Sequence, residues 1–115
     1  MERYHSMKKI ELKKIFDPRG SLTVVEQGKE LPFEIGSVKW LYGTSTDATH
    51  TMKGCQHSHL VVALSGSFQV KSLDTTQSTC LLLNHPYQGL LIEAGTSYTI
   101  TDFSYGSVCL LIESK

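Results

Sequence analysis

Thr49-His50-Thr51-Met52-Lys53-Gly54-Cys55-Gln56-His57-Ser58-His59-Leu60-Val61-Val62-Ala63-Leu64-Ser65-Gly66 is the stretch whose reading decides the fold. Its second half, Leu60 to Leu64, is an apolar run too short for a helix and closed at once by Ser65-Gly66-Ser67. Such a run reads as a strand buried on at least one face. The first half carries three of the chain's five histidines. Polar imidazoles at the entrance of a buried strand sit at the mouth of a core, where a small β-barrel keeps its ligand pocket.

The neighbouring sequence repeats the same grammar. Short segments rich in Val, Ile, Leu, Thr, Tyr and Phe are broken by Gly, Pro, Asn and Asp about every ten residues, the spacing of an all-β sandwich or barrel. Expected strands cover Lys9–Phe16, Leu22–Gln27, Ser37–Thr44, Leu60–Leu64, Ser67–Ser72, Thr79–Leu83, Gly89–Ile92, Ser97–Thr101 and Val108–Glu113. No segment keeps a helical period. Asp17-Pro18-Arg19-Gly20 is a turn, with proline presetting φ and glycine allowing a positive one. Val38, Trp40 and Tyr42 share one face of their strand by its period of two. That face is either core-directed or a stacking platform for a substrate.

At 115 residues the chain is expected to be one domain, residues 1–115, with a flexible N-terminus over 1–8 that includes His5. Eleven basic against eleven acidic residues leave no field to hold nucleic acid or anionic lipid, so neither is expected as a partner. No apolar run is long enough to span a membrane, and the opening residues do not read as a signal peptide. Cys55, Cys80 and Cys109 are odd in number and far apart, which suits reduced cytoplasmic thiols, with Cys80 and Cys109 as small core residues.

The run Ile15-Phe16-Asp17-Pro18-Arg19-Gly20-Ser21-Leu22-Thr23-Val24-Val25-Glu26 is followed by Leu31-Pro32-Phe33-Glu34-Ile35 and Val38. Leu64-Ser65-Gly66-Ser67-Phe68-Gln69-Val70, Leu83-Asn84-His85-Pro86 with Gly89-Leu90, and Asp102-Phe103-Ser104 come after them. In order and spacing these runs resemble the dTDP-4-oxo-6-deoxyglucose 3,4-ketoisomerases, the WxcM-like sugar 3,4-ketoisomerase cupins. The resemblance implies an all-β, RmlC-like cupin jelly roll that forms a homodimer and needs no metal or other cofactor. It also implies a dTDP-hexose in the barrel, whose keto group moves from C4 to C3 on the way to deoxysugars of surface polysaccharides. Such chemistry needs a proton carrier that works near neutral pH, the ordinary task of histidine.

The chain departs from the family at the site itself. Counting back without a gap from Gly66, the family's two histidine positions fall on Met52 and Gly54, its arginine on Thr49, and one of its glutamines on His59. Its tyrosines after the valine correspond to Lys39 and Trp40, and its Trp-His pair to Ser97-Tyr98. A family segment rich in Tyr, Asp and Arg has no counterpart after Glu113.

Three readings follow. His57 and His59, two apart and so on one face of a strand, form with Tyr98 a relocated acid/base set. Arg19 then stands near the diphosphate, while Trp40, Met52 and Lys53 line or hold the ligand. Alternatively, the domain binds a nucleotide sugar or dimerises without turnover. In the third reading His57 and His59 hold a metal, with His50 adding a ligand.

Overall fold

Leu60 to Ala63 is buried on both faces, and two hydrophobic layers are built on that one strand. The computed structural model describes residues 7–53, 56–73 and 79–115. It contains the strands β1 (Met7–Glu11), β2 (Lys13–Asp17), β3 (Gly20–Val24), β4 (Ile35–Tyr42), β5 (His50–Met52) and β6 (His59–Ser65). They continue as β7 (Phe68–Ser72), β8 (Cys80–Leu83), β9 (Gln88–Ile92), β10 (Tyr98–Thr101) and β11 (Val108–Ser114). A five-stranded antiparallel sheet in the order β1-β9-β6-β11-β4 faces a four-stranded one in the order β5-β10-β7-β8, and β2 pairs with β3 as a separate hairpin.

Between the sheets, Val61 and Ala63 of β6 and Cys109 and Leu111 of β11 meet Phe68, Val70, Leu83, Tyr98, Ile100 and Phe103. This is the barrel interior. The alternate residues Leu60, Val62 and Ile112 face the other way and are covered by Leu12 and Leu31, with Phe33, Ile35 and Leu110 packed around them. Each fully buried aliphatic side chain stabilises by roughly 1.5–3 kcal/mol. The strand that feeds both layers therefore fixes the sheet order more firmly than any other. At its end Gly66 adopts φ +70°, and a Cβ there would run into Ser104 and Ser107, so the β6–β7 turn requires glycine.

Several sequence expectations are corrected. The strand expected over Lys9–Phe16 is two strands. Leu12 breaks it by burying its side chain in the outer layer and donating its N–H to the Tyr87 carbonyl at 2.8 Å. β2 then leaves the sheet and pairs with β3. Strand β5 was not expected, being three residues long and without an apolar alternation. Met7 and Lys8, expected within the flexible N-terminus, belong to β1 and pair with Ile92 and Leu91. Val38, Trp40 and Tyr42 do share a face, but it points out of the barrel. They stand across from Ile112, Leu110 and Val108 and are 48%, 59% and 69% exposed. A core-directed aromatic pair is thereby excluded, because alternation fixes which residues share a face and not which face is covered. Cys80 is exposed, against its expected burial, while Cys109 is buried and its thiol is pushed up to about 12 by desolvation. Cys55 and His5 lie outside the described residues.

Candidate functional site

Alternation along β6 sends His59 inward with Val61 and Ala63, and the imidazole is only 3% exposed. A buried polar ring requires partners. Its Nε2 lies 2.9 Å from Glu113 Oε2, and its Nδ1 lies 2.8 Å from the Tyr98 hydroxyl. Glu113 is delivered by β11, where it stands directly across from His59. Tyr98 is delivered by β10 of the opposite sheet, is fully buried, and sets its ring edge-on to the imidazole with centroids 5.8 Å apart. The three groups therefore cross the barrel from one sheet to the other.

The hydrogen bond from His59 holds the Glu113 carboxyl below its ordinary range. Desolvation opposes this, and the charges of Lys39, His59 and His57 add to it. An ionised carboxylate can only accept, so Nε2 carries the imidazole proton and donates it to Glu113. In the neutral form of the ring Nδ1 is then the lone pair, and the Tyr98 O–H donates to it. If the phenol passes its proton to Nδ1, the resulting imidazolium faces a carboxylate already ionised. Tyr98 and His59 thus act as one unit that can take and return a proton, with Glu113 fixing its tautomer and its charge. Glu113 Oε1 also accepts the Ser37 hydroxyl at 3.4 Å, and Lys39 Nζ stands 3.6 Å from Oε2.

Among the residues expected at the site, the structure brings His59 and Tyr98 into contact. His57 lies in the loop before β6, close enough for its charge to act on Glu113. Its Nδ1 is buried without a hydrogen-bond partner among the described residues. Met52 is half-buried against the barrel interior, directly across from Tyr98 on β5. His50, two residues earlier, faces the same way and sets its ring at 90° to Phe103. Lys53 follows β5 and is exposed.

The other two expected residues stand elsewhere. Arg19 is at the tip of the β2–β3 hairpin, exposed and bonded through Nε to Asp17 at 3.2 Å. That hairpin stands on the outer side of the five-stranded sheet, across a groove lined by Leu12, Val62, Leu64 and Leu110, so Arg19 is not brought to His59. Trp40 is on the outer face too.

Glu113 and Ser37 were missed, and Lys39 was named only as the position of a family tyrosine. The available signal was the alternation Cys109, Leu111, Glu113, which puts a carboxylate on the face of two apolar residues. Among the described residues no three His, Cys, Asp or Glu side chains are grouped to hold a metal ion. Both nitrogens of His59 are committed to hydrogen bonds, which leaves it no lone pair for a metal.

Comparison with known proteins agrees in fold and in the chemistry such a barrel houses. The family model FdtA, described as WxcM-like, C-terminal, matches residues 5–115. The chain is 30% identical over 112 residues to the TDP-4-oxo-6-deoxy-alpha-D-glucose-3,4-oxoisomerase of Aneurinibacillus thermoaerophilus, covering 93% of this chain and 78% of that one. Among solved structures it is similar to the sugar 3,4-ketoisomerase QdtA from Thermoanaerobacterium thermosaccharolyticum in complex with TDP. There the TM-score is 0.89 and the identity 26%, over 95% of this chain and 80% of that one. It is equally similar to the TDP-quinovose 3,4-ketoisomerase WlaRB from Campylobacter jejuni, with TM-score 0.89 and 30% identity over 95% of this chain and 85% of that one.

Proposed function

The chain belongs to the WxcM-like FdtA family, and from that premise we propose that it is a sugar-nucleotide 3,4-ketoisomerase of deoxysugar biosynthesis. Its substrate is a TDP-4-keto-6-deoxyhexose held in the barrel, and its reaction moves the keto group from C4 to C3. The observation that carries this reading is the Glu113–His59–Tyr98 chain across the barrel interior. The C3–H bond breaks and the proton goes to the Tyr98–His59 unit. The electron pair forms a C3–C4 double bond, and the C4 carbonyl oxygen takes the negative charge. A proton then passes from O3 to O4, C4 is protonated by the same unit, and a carbonyl forms at C3. Nothing is oxidised overall, so no redox partner is required. The relative QdtA, crystallised with TDP and, in a mutant form, with TDP-4-keto-6-deoxyglucose, supports the nucleotide.

Two further parts of the reading rest on surface and composition. Val38, Trp40 and Tyr42 on one side, and Ile15, Phe16 and Leu22 on the β2–β3 hairpin, expose large apolar side chains on the outer face. Hairpin and sheet leave between them a groove of about 420 Å³ lined by Leu12, Val62, Leu64, Tyr87 and Leu110. A lone two-stranded hairpin is marginal in water and a patch of this kind marks an interface, which supports a homodimer. A protein that sediments as a monomer, or a Trp40→Lys variant that stays dimeric, counts against it. The free thiols of Cys80 and Cys109 support a cytoplasmic location, to be checked by cell fractionation. Among the described residues there is no helix that could cross a membrane.

The test is direct. Incubated with TDP-4-keto-6-deoxyglucose, the protein should produce the 3-keto isomer, followed by NMR, and Tyr98→Phe should abolish that conversion while the variant remains folded. If the wild-type protein binds TDP but leaves the ketosugar unchanged, the domain is a nucleotide-sugar-binding module and the isomerase reading fails.

A further inference from the structure

Lys39 is in the barrel by register, although its chemistry is foreign to an apolar interior. It stands across from Leu111, on the face of β4 that turns Ser37 and Leu41 inward while Val38, Trp40 and Tyr42 turn out. β4 is an edge of the five-stranded sheet and β5 an edge of the four-stranded one. The lysine can therefore face the interior and still keep its head near water. Its side chain is 60% exposed, and its ion pair with Glu113 is long, 3.6 Å. A pair so wet holds a lysine weakly. The ammonium is free to turn toward a ligand.

Its distance from His59 is bounded. Lys39 Nζ and His59 Nε2 approach the same oxygen, Glu113 Oε2, at 3.6 and 2.9 Å, so the two nitrogens cannot be farther apart than those two contacts end to end. A hexose whose C3 and C4 lie at the Tyr98–His59 unit carries its diphosphate on C1, across the sugar ring. The bound on Lys39 is to Nε2, on the Glu113 side of the imidazole; to meet a sugar held at the Tyr98 hydroxyl, on the Nδ1 side, the exposed lysine side chain has to swing past the ring.

We propose that Lys39 is a further catalytic residue, whose ammonium stabilises the enediolate oxyanion formed when the C3 proton leaves. The inference rests on the isomerase reading above and adds a residue to it. The charges balance at each stage. In the form that accepts the proton, Lys39 faces the Glu113 carboxylate, the imidazole carries one proton and the ketosugar carries no charge at C4. In the step the C3–H bond breaks, its proton makes the His59–Tyr98 unit cationic, and the electron pair ends as negative charge on O4. The imidazolium now neutralises Glu113, which releases Lys39 to the new anion. Two ion pairs replace one as the proton moves, and the second pair exists only once the oxyanion has begun to form. An interaction absent from the ground state raises kcat without tightening substrate binding.

The experiment compares wild-type protein, Lys39→Met and Lys39→Arg with TDP-4-keto-6-deoxyglucose as substrate. Steady-state constants, TDP dissociation constants and uptake of deuterium from D2O at the carbon positions are read for each. Lys39→Met should lose roughly 100-fold in kcat and as much in the rate of deuterium uptake. KM and the TDP dissociation constant should stay within about twofold, because uniform binding is not what the residue supplies. Lys39→Arg should recover part of kcat. A Lys39→Met protein with wild-type kcat overturns the inference and leaves the isomerase reading standing. A loss confined to KM and TDP affinity also overturns it, by placing the lysine on the diphosphate. Wild-type protein without turnover refutes the isomerase reading, and the inference falls with it.

Discussion

Replacing Tyr98 with Phe removes one oxygen from the barrel and preserves the ring that packs against its neighbours. The ring remains buried, and its edge-on contact with His59 at 5.8 Å needs no hydroxyl. What changes is the hydrogen bond to His59 Nδ1, 2.8 Å long and closed to solvent. A neutral hydrogen bond contributes only about 1 kcal/mol net, but an acceptor left buried without its donor costs about 1–3 kcal/mol. With His59 only 3% exposed, the lost donor leaves a buried acceptor, and the larger range applies. With an unfolding entropy of about 2.1 cal/mol/K per residue, a chain of 115 residues loses about 4 °C in Tm for each kcal/mol. Tyr98→Phe should therefore melt about 4–12 °C below the wild type.

Urea denaturation followed by far-ultraviolet circular dichroism measures the same quantity as a free energy. It should be run on Tyr98→Phe, Glu113→Gln and the double variant. Tyr98 and Glu113 act on opposite nitrogens of one ring, so their effects should be non-additive by 0.5 kcal/mol or more, on the order seen for members of one hydrogen-bond network. A Tyr98→Phe protein within about 0.5 kcal/mol of wild type, additive with Glu113→Gln, would refute the view that the three groups form a connected chain.

Other consequences can be checked with the same protein. The hydrogen bond from His59 lowers the Glu113 carboxyl from its ordinary 4.5, so folding favours the ionised form. That stabilisation is complete above pH 4.5 and is lost as the pH falls through the lower folded value. The stability gap between wild type and Glu113→Gln should accordingly narrow in acid, and a gap independent of pH down to acid unfolding would contradict the pairing. Gly66→Ala should destabilise by more than about 1 kcal/mol, because a left-handed φ of +70° and the crowding of Ser104 and Ser107 both act against a Cβ; a neutral effect in urea would show that the turn relaxes freely. Cys109, buried and pushed up to about 12, should resist iodoacetamide in the folded protein while exposed Cys80 is alkylated, as peptide mass spectrometry would resolve. Equal labelling of the two would contradict the burial.

Much of the fold was legible because alternation and turn chemistry are local. Leu60 to Leu64 announced a buried strand, and the Pro18 and Gly20 turn announced a hairpin, both without knowledge of any partner. What alternation does not carry is the identity of the covering layer. Trp40 and Tyr42 were expected to face either the core or a substrate; they point away from the barrel, and none of the described residues covers the outer face of β4 there. Leu12 shows the same limit in reverse. Its apolar neighbours continue an even strand pattern, while its backbone is claimed by Tyr87, seventy-five positions away.

The site divides along the same line. His59 and Tyr98 were nominated from residue type and from their correspondence to family positions, but Glu113 enters only through the pairing of β6 with β11, which joins positions 54 apart. The family's first histidine position falls on Met52, and Met52 stands across from Tyr98 on β5. His59, on β6 of the facing sheet, meets the Tyr98 hydroxyl at 2.8 Å. Both positions therefore neighbour Tyr98, one by strand register and the other by a hydrogen bond. At His59 the imidazole has a carboxylate directly across from it on β11. Glu113, reached only through the β6–β11 pairing, is thus the partner that no local reading of the sequence around His59 supplies.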